Sequence, residues 1–255
     1  MIYLLTGVLC TFYGVSSGLG ALTLLRPLLD AVSPLSGMSI AMLCTMAALA
    51  ASLVGAFFAL NQPLPLSQDD LLLIAVGSAL GGILGDLAAY RFFSSLTESA
   101  AAFLQNALLL TLVALPMLYF IQLSSSLRPI NLGRTMLFPA TLLLGLIASF
   151  LSFGAEPLSL LLLFLLFDAT DKEAAFASLE ITLFAMAGKI IIMLIRQRFR
   201  LPDAGILLWL LPGVILGAAG AMVPRLARIP QRAGEALMRL SIFTSLMNIA
   251  ASALR

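Results

Sequence analysis

The chain has 255 residues, of which 61% are hydrophobic and 10% charged, with a net charge of +2. It contains no histidine, which removes the usual haem ligands, HExxH-type zinc sites and histidine bases. Residues 31–68 carry no charge at all, so the apolar stretches have bilayer rather than core-helix length and the chain reads as a polytopic membrane protein.

In chain order, "MIYLLTGVLC" lacks the basic flank and cleavage site of a signal peptide, so it is expected to remain as the first membrane element. Apolar elements are expected near 2–30, 36–60, 70–91, 98–122, 135–167, 172–197, 204–225 and 233–254, about eight helical elements in all. Ser95 with Glu98 and Thr170 with Glu173 fit the S/T-x-x-E capping box, and "LPLSQDD" and "RLPDAG" place turn residues before helices. Glu98, Glu173, Asp70, Asp171 and Asp203 are therefore read as caps. Cys10 and Cys44 lie in apolar segments and read as small buried thiols.

The elements fall into four repeated twice. A shift of 134 residues lays "GLGALTLL" (18–25) on "SFGAEPLS" (152–159), and a shift of 135 lays Gly82 and Gly85 on Gly217 and Gly220. The expected fold is an all-α polytopic membrane protein in two pseudo-symmetric repeats, 1–127 and 128–255, each opening on a glycine-broken helix. Such halves are the build of many secondary transporters, with substrate held at the repeat interface.

A break inside a membrane segment frees backbone N–H groups, and the half-helix after it points its positive end at whatever fills the gap. Ser17, Gly18 and Gly20 in the first break, and Ser152 and Gly154 in the second, are the candidate anion-binding positions, with Arg26 and Ser178. The alternative is that the glycines only let helices approach closely. Arg26 can pair with a substrate anion or with Asp30, its i+4 neighbour. Asp86 lies inside a long helix, near Arg91. Glu156 precedes Pro157 and so stands at a helix start. It either caps that half-helix or carries a proton while an anion is bound, because two negative charges in a dry site repel. Glu180 and Lys189 are nine residues apart and therefore on opposite faces of one helix. Glu180 is the second candidate for ion coupling, and Lys189 either finds a partner on another helix or snorkels toward "RQRFR".

These residues resemble the TauE/SafE family of sulfite and organosulfonate exporters. "GLGALTLLRPLLDA" is similar to that family's glycine-rich break followed by a proline, "FGAEPLSLLLLFLLFDATDKEAAFAS" to its second copy, and "AVGSALGGILGD" and "LLPGVILGAAGAMVPRL" to its third-helix glycine motifs. Ala21 and Leu22, and Ala155 and Glu156, stand where the family has glycines. The resemblance implies a permease for small anions such as sulfite or sulfonates, driven by an ion gradient and multi-pass in the bacterial inner membrane. Its partners would be the lipid bilayer and a small anionic substrate, with no nucleic acid, no cofactor, no metal and no enzymatic step, and with homo-oligomerisation open. Two alternatives stand beside it. The "SP" at Ser33 and "RFFSSLTESAAAFLQ" resemble parts of the drug/metabolite transporter superfamily, whose ten helices are two more than the eight elements expected here, and a non-transporting membrane scaffold would need neither broken helices nor buried carboxylates.

Overall fold

The computed structural model describes residues 1–16, 20–33, 35–59, 66–118, 132–153, 156–199, 203–223 and 231–253. The helices are α1 (Ile2–Ser16), α2 (Leu22–Val32), α3 (Gly37–Ala59), α4 (Gln68–Phe93), α5 (Glu98–Leu118), α6 (Leu137–Leu151), α7 (Glu156–Phe167), α8 (Asp171–Ile195), α9 (Ala204–Met222) and α10 (Gln231–Ala253). Among the described residues ten helices stand where about eight elements were expected, because the segments 2–30 and 135–167 each divide in two, between Ser16 and Leu22 and between Leu151 and Glu156. The boundary between the expected repeats, at 127/128, lies outside the described residues.

Among the described residues six helices are long and apolar enough to cross a membrane: Gly37–Phe58, Gln68–Phe93, Ser99–Pro116, Arg134–Leu151, Glu173–Ile195 and Ala204–Met222. Large apolar side chains such as Phe57, Leu72 and Leu208 are exposed on their outer faces. Acyl chains accept that surface and water does not. The chain is built as a multi-pass membrane protein.

Helix starts carry the capping chemistry expected of them, with one exception. Thr170 and Glu173 form a full capping box on α8, Ser67 accepts from the Asp70 amide on α4, and Asp203 accepts from the Gly205 amide on α9. Ser95 does not cap α5, because its hydroxyl turns back to the Phe92 carbonyl and Thr97 accepts from the Ala100 amide instead. The Asp171 and Glu98 side chains lie outside the described residues.

Glycine decides which helices meet. A methyl group at Gly77, Gly81 or Gly85 of α4 would strike main-chain oxygens of Phe138, Leu142 and Leu146 on α6, and one at Gly213 or Gly217 of α9 would strike those of Leu4 and Val8 on α1. The contacted positions on α1 and α6 are 134 residues apart (Leu4 and Phe138, Val8 and Leu142), and the glycines are 136 apart (Gly77 and Gly213, Gly81 and Gly217). The sequence alignment had instead matched Gly82 and Gly85 with Gly217 and Gly220, but Gly82 packs on Ala185 of α8. Such backbone-to-backbone packing replaces the hydrophobic effect as the association force inside lipid.

The α6–α7 segment is a hairpin. Arg134, just before α6, pairs with Asp69 and Asp70 at the start of α4, while Phe150 near the end of α6 packs on Phe92 and Phe93 at the end of α4. α6 therefore runs alongside α4 in the same direction. α7 then returns, since the Leu132 amide donates to the Leu166 carbonyl at 2.9 Å, bringing the end of α7 beside the start of α6. α8 leaves from that side and ends beside the end of α4, where Arg198 meets Asp86. α2 is fixed by its own proline. Pro27 cannot donate to the Thr23 carbonyl, and Ser241 of α10 takes that acceptor at 2.5 Å while Asn248 donates to the Pro27 carbonyl at 2.9 Å.

Two outcomes test this packing. Gly81→Ala and Gly213→Ala should each cost about 1–3 kcal/mol, read as a lowered melting temperature in detergent, whereas Gly37→Ala, whose methyl would meet only Gln105 Oε1 at 3.9 Å, should leave it unchanged. A membrane-impermeant maleimide should label Leu132→Cys and Asp168→Cys from one face of the membrane and Gln197→Cys from the other. Labelling of Leu132→Cys and Asp168→Cys from opposite faces would remove the hairpin.

Candidate functional site

The two breaks meet each other. The first is described at its edges: Gly20 has φ +84°, a conformation side chains rarely adopt, and its amide donates to the Gly14 carbonyl at 3.0 Å. A Cβ on Gly20 would lie 2.5–2.7 Å from the side-chain carbons of Glu156, so the carboxylate arm of the second break lies directly over the first. Glu156 opens α7 and sits just ahead of the amino end of α2, and that end has no side-chain cap. Helix amino ends carry partial positive charge, so the protein's own carboxylate is placed where that field favours an anion.

At the other side of the second break, α6 ends in a left-handed Ser152 (φ 52°, ψ 42°). The Ser152 amide donates to the Ser149 carbonyl and the Phe153 amide to the Ala148 carbonyl, each at 3.2 Å, which is a Schellman termination with serine in the position glycine usually takes. Two buried cations gather at this helix end, Arg26 on carbonyls the turn leaves free and Lys189 as a second donor to a carbonyl the turn already uses. Lys189 of α8 donates to the Ser149 carbonyl at 2.8 Å and to Ser152 Oγ at 2.5 Å. Arg26 of α2 donates to the Leu151 carbonyl, to the Ser152 carbonyl at 3.2 Å and to Gln105 Oε1 of α5 at 3.0 Å. A helix carboxyl end carries partial negative charge, so both cations also complete its electrostatics.

Of the expected site residues, the structure brings Gly20, Arg26, Ser152 and Glu156 together. Ser17, Gly18 and Gly154 lie outside the described residues. Arg26 is 1% exposed, and its Nε stands 3.8 Å from Asp30, so the i+4 pair coexists with the cap on α6. Ser178 is buried on α8 and donates to the Ala175 carbonyl. Glu180 is half-exposed and, by the helical period, lies on the face opposite Lys189. Asp86 is held by Arg198 at 2.9 Å. Lys189 is 5% exposed and points inward, so of its two sequence readings the structure selects the interhelical partner.

Glu156 is 4% exposed and its Oε2 has no hydrogen-bond partner. The carboxylate lies near its own backbone amide, the capping arrangement, and near the Thr182 hydroxyl, which does not reach hydrogen-bond geometry and is itself unpartnered. Among the described residues no carboxylate stands within ion-pair distance of Lys189 and no cation within that distance of Glu156. Gln105, Ser149 and Thr182 were not singled out from the sequence. A usable signal existed for one of them: Ser178, Thr182 and Lys189 recur at spacings of four and seven, one face of one helix.

No protein-family model matches the chain, and no similar curated protein or solved structure was found. The TauE/SafE resemblance thus stands on the sequence motifs alone.

Lys189→Met would leave the buried Ser152 hydroxyl without its donor and the Ser149 carbonyl with the Ser152 amide alone, beside a left-handed residue. The expected cost is about 1–3 kcal/mol, measured by thermal unfolding in detergent. Glu180→Gln should stay within about 0.5 kcal/mol of the parent.

Proposed function

We propose that the chain is a secondary transporter of small anions whose substrate site is the junction of the two broken segments, with Glu156 as its proton-carrying group. One observation carries the reading: a buried carboxylate with an unpartnered oxygen sits over a left-handed glycine at the uncapped amino end of a half-helix. Ionisable groups within a membrane protein are expensive and are kept where they act. Glu156 occupies the position an anion would take, so substrate binding requires the carboxylate either to move or to accept a proton. Lys189 and Arg26, already gathered around the end of α6, supply the positive charge on the other side of the same break.

The repeated contact register supports an inverted-repeat reading. α1 meets α9 and α6 meets α4 through equivalent positions. With α6 turned back by α7, although it is long enough to cross, and α1 turned back by α2 in the same way, α3, α4 and α5 would cross in the first half and α8, α9 and α10 in the second, an odd number that inverts one half relative to the other. The TauE/SafE motifs favour sulfite and small sulfonates as substrates and the bacterial inner membrane as the location.

The test is flux in liposomes. Purified protein should show a raised melting temperature with the anion it carries, screened across sulfite, sulfate, small sulfonates and carboxylates. For that anion, Glu156→Gln should retain counterflow and lose uptake driven by a pH gradient, while Glu180→Gln keeps both. Normal gradient-driven uptake by Glu156→Gln would reduce that residue to a helix cap. Absence of flux for every anion, with insertion and fold intact, would favour the scaffold reading. In Gly20→Leu, the side chain should displace Glu156 and abolish anion binding; unaltered affinity in this variant would move the site elsewhere.

A further inference from the structure

A second polar constellation stands apart from the broken helices, where α4 and α8 end side by side. Leu87, Tyr90, Arg91 and Ser94 of α4 and its exit, with Arg196 following α8, line a cleft of about 400 Å³. One wall is fixed: Arg198 lies over the Tyr90 ring, 4.1 Å from its centre, and donates to Asp86 at 2.9 Å. That pairing uses up Asp86, the carboxylate nearest the cleft on α4. Arg91 and Arg196 are exposed, and among the described residues neither has a carboxylate within ion-pair distance. Two full positive charges therefore face one cleft, more than offsetting the roughly half negative charge that each helix carboxyl end contributes.

The surroundings specify what kind of anion fits. Both helices have membrane-spanning length, so their shared end lies at the boundary between hydrocarbon and water. Below the arginines the surface turns apolar: Leu84 and Leu87 continue the Arg91 face of α4 toward the membrane interior, and Ile191, Leu194 and Ile195 are exposed on the last turns of α8. Tyr90, 48% exposed, has the ring-and-hydroxyl character of residues that settle at headgroup depth. A free phosphate would use only the polar half of this surface. We infer that the Arg91–Arg196 cleft is a binding site for the phosphate headgroup of an anionic phospholipid, whose acyl chains lie along the exposed aliphatic faces of α4 and α8. The pair holds the ends of two helices that approach each other at Gly82 and Gly188, so the lipid would bridge them at the membrane surface.

The experiment uses the full chain, reconstituted in phosphatidylcholine nanodiscs doped with phosphatidylglycerol, with retained lipid read by native mass spectrometry. The parent should keep phosphatidylglycerol in preference to phosphatidylcholine. Arg91→Gln and Arg196→Gln should each weaken that retention about five-fold, and the double variant about twenty-five-fold, as expected for one basic side chain near an anionic headgroup apiece. Arg134→Gln, at the opposite end of α4, should change nothing. The pair Arg91→Lys and Arg196→Lys keeps the charge and should keep most of the preference, which separates loss of binding from loss of fold. Undiminished phosphatidylglycerol retention in the double glutamine variant overturns the site. Arginine-dependent binding of inorganic phosphate at equal strength, without lipid retention, overturns the lipid and leaves a free-phosphate site.

Discussion

The carboxyl end of α6 is buried in a membrane protein, and its free carbonyls must be met by protein. That single requirement draws in two cations from elements far apart in sequence. Arg26 reaches it from α2 and Lys189 from α8, and Gln105 of α5 holds the second arm of the arginine. Three helices are thereby referenced to the end of a fourth. Ser152, left-handed and bonded through its side chain, is the point on which they converge.

The other constraint is the lack of volume at the helix crossings. Glycine is used where α4 meets α6 and where α9 meets α1, with main-chain atoms of the partner directly against each Cα. Such crossings leave no slack for bulkier residues, and the hairpin of α6 and α7 is held against α4 along its outward arm. Where α2 needs its proline, the acceptor that proline strands is taken by α10. Arg26, Lys189, Ser241 and Asn248 are thus absorbed in satisfying backbone at helix ends and at the proline, while several buried polar atoms have no partner. Glu156 Oε2 and the Thr182 hydroxyl are among these, and they lie together at the junction of the breaks.

This distinction bears on how charge in the junction is read. Arg26 and Lys189 have structural partners and would be needed even in a protein that transported nothing. Glu156 makes no comparable contribution beyond capping its own helix. A transport reading therefore leans on Glu156 more than on the cations, and the resemblance to sulfite and sulfonate exporters names a substrate class that the geometry by itself does not.

The sequence by itself determined the class of the protein, because long charge-free stretches have one stable environment. It also determined where the first and fifth apolar segments break, since glycine and a following proline act locally, and it placed the caps of α4, α8 and α9 through short-range hydrogen bonds. The Ser95 reading failed for a related reason: two hydroxyls stood within reach of one helix start, and the turn after α4 claimed the first of them. Only the tertiary structure decided what the charged residues do. Lys189 had two sequence readings, and the choice between them turned on the position of Ser149–Ser152, on a different helix; Arg26 keeps its Asp30 neighbour and also caps α6, a contact more than a hundred residues away that neither of its readings contained. The pairing of Gly77 and Gly81 with α6, and of Gly213 and Gly217 with α1, was equally hidden. The offset between matching contacts is 134 residues for α1 and α6 and 136 for α4 and α9, and a shift read from leucine-rich sequence cannot resolve that difference, because any register there scores nearly as well as its neighbour.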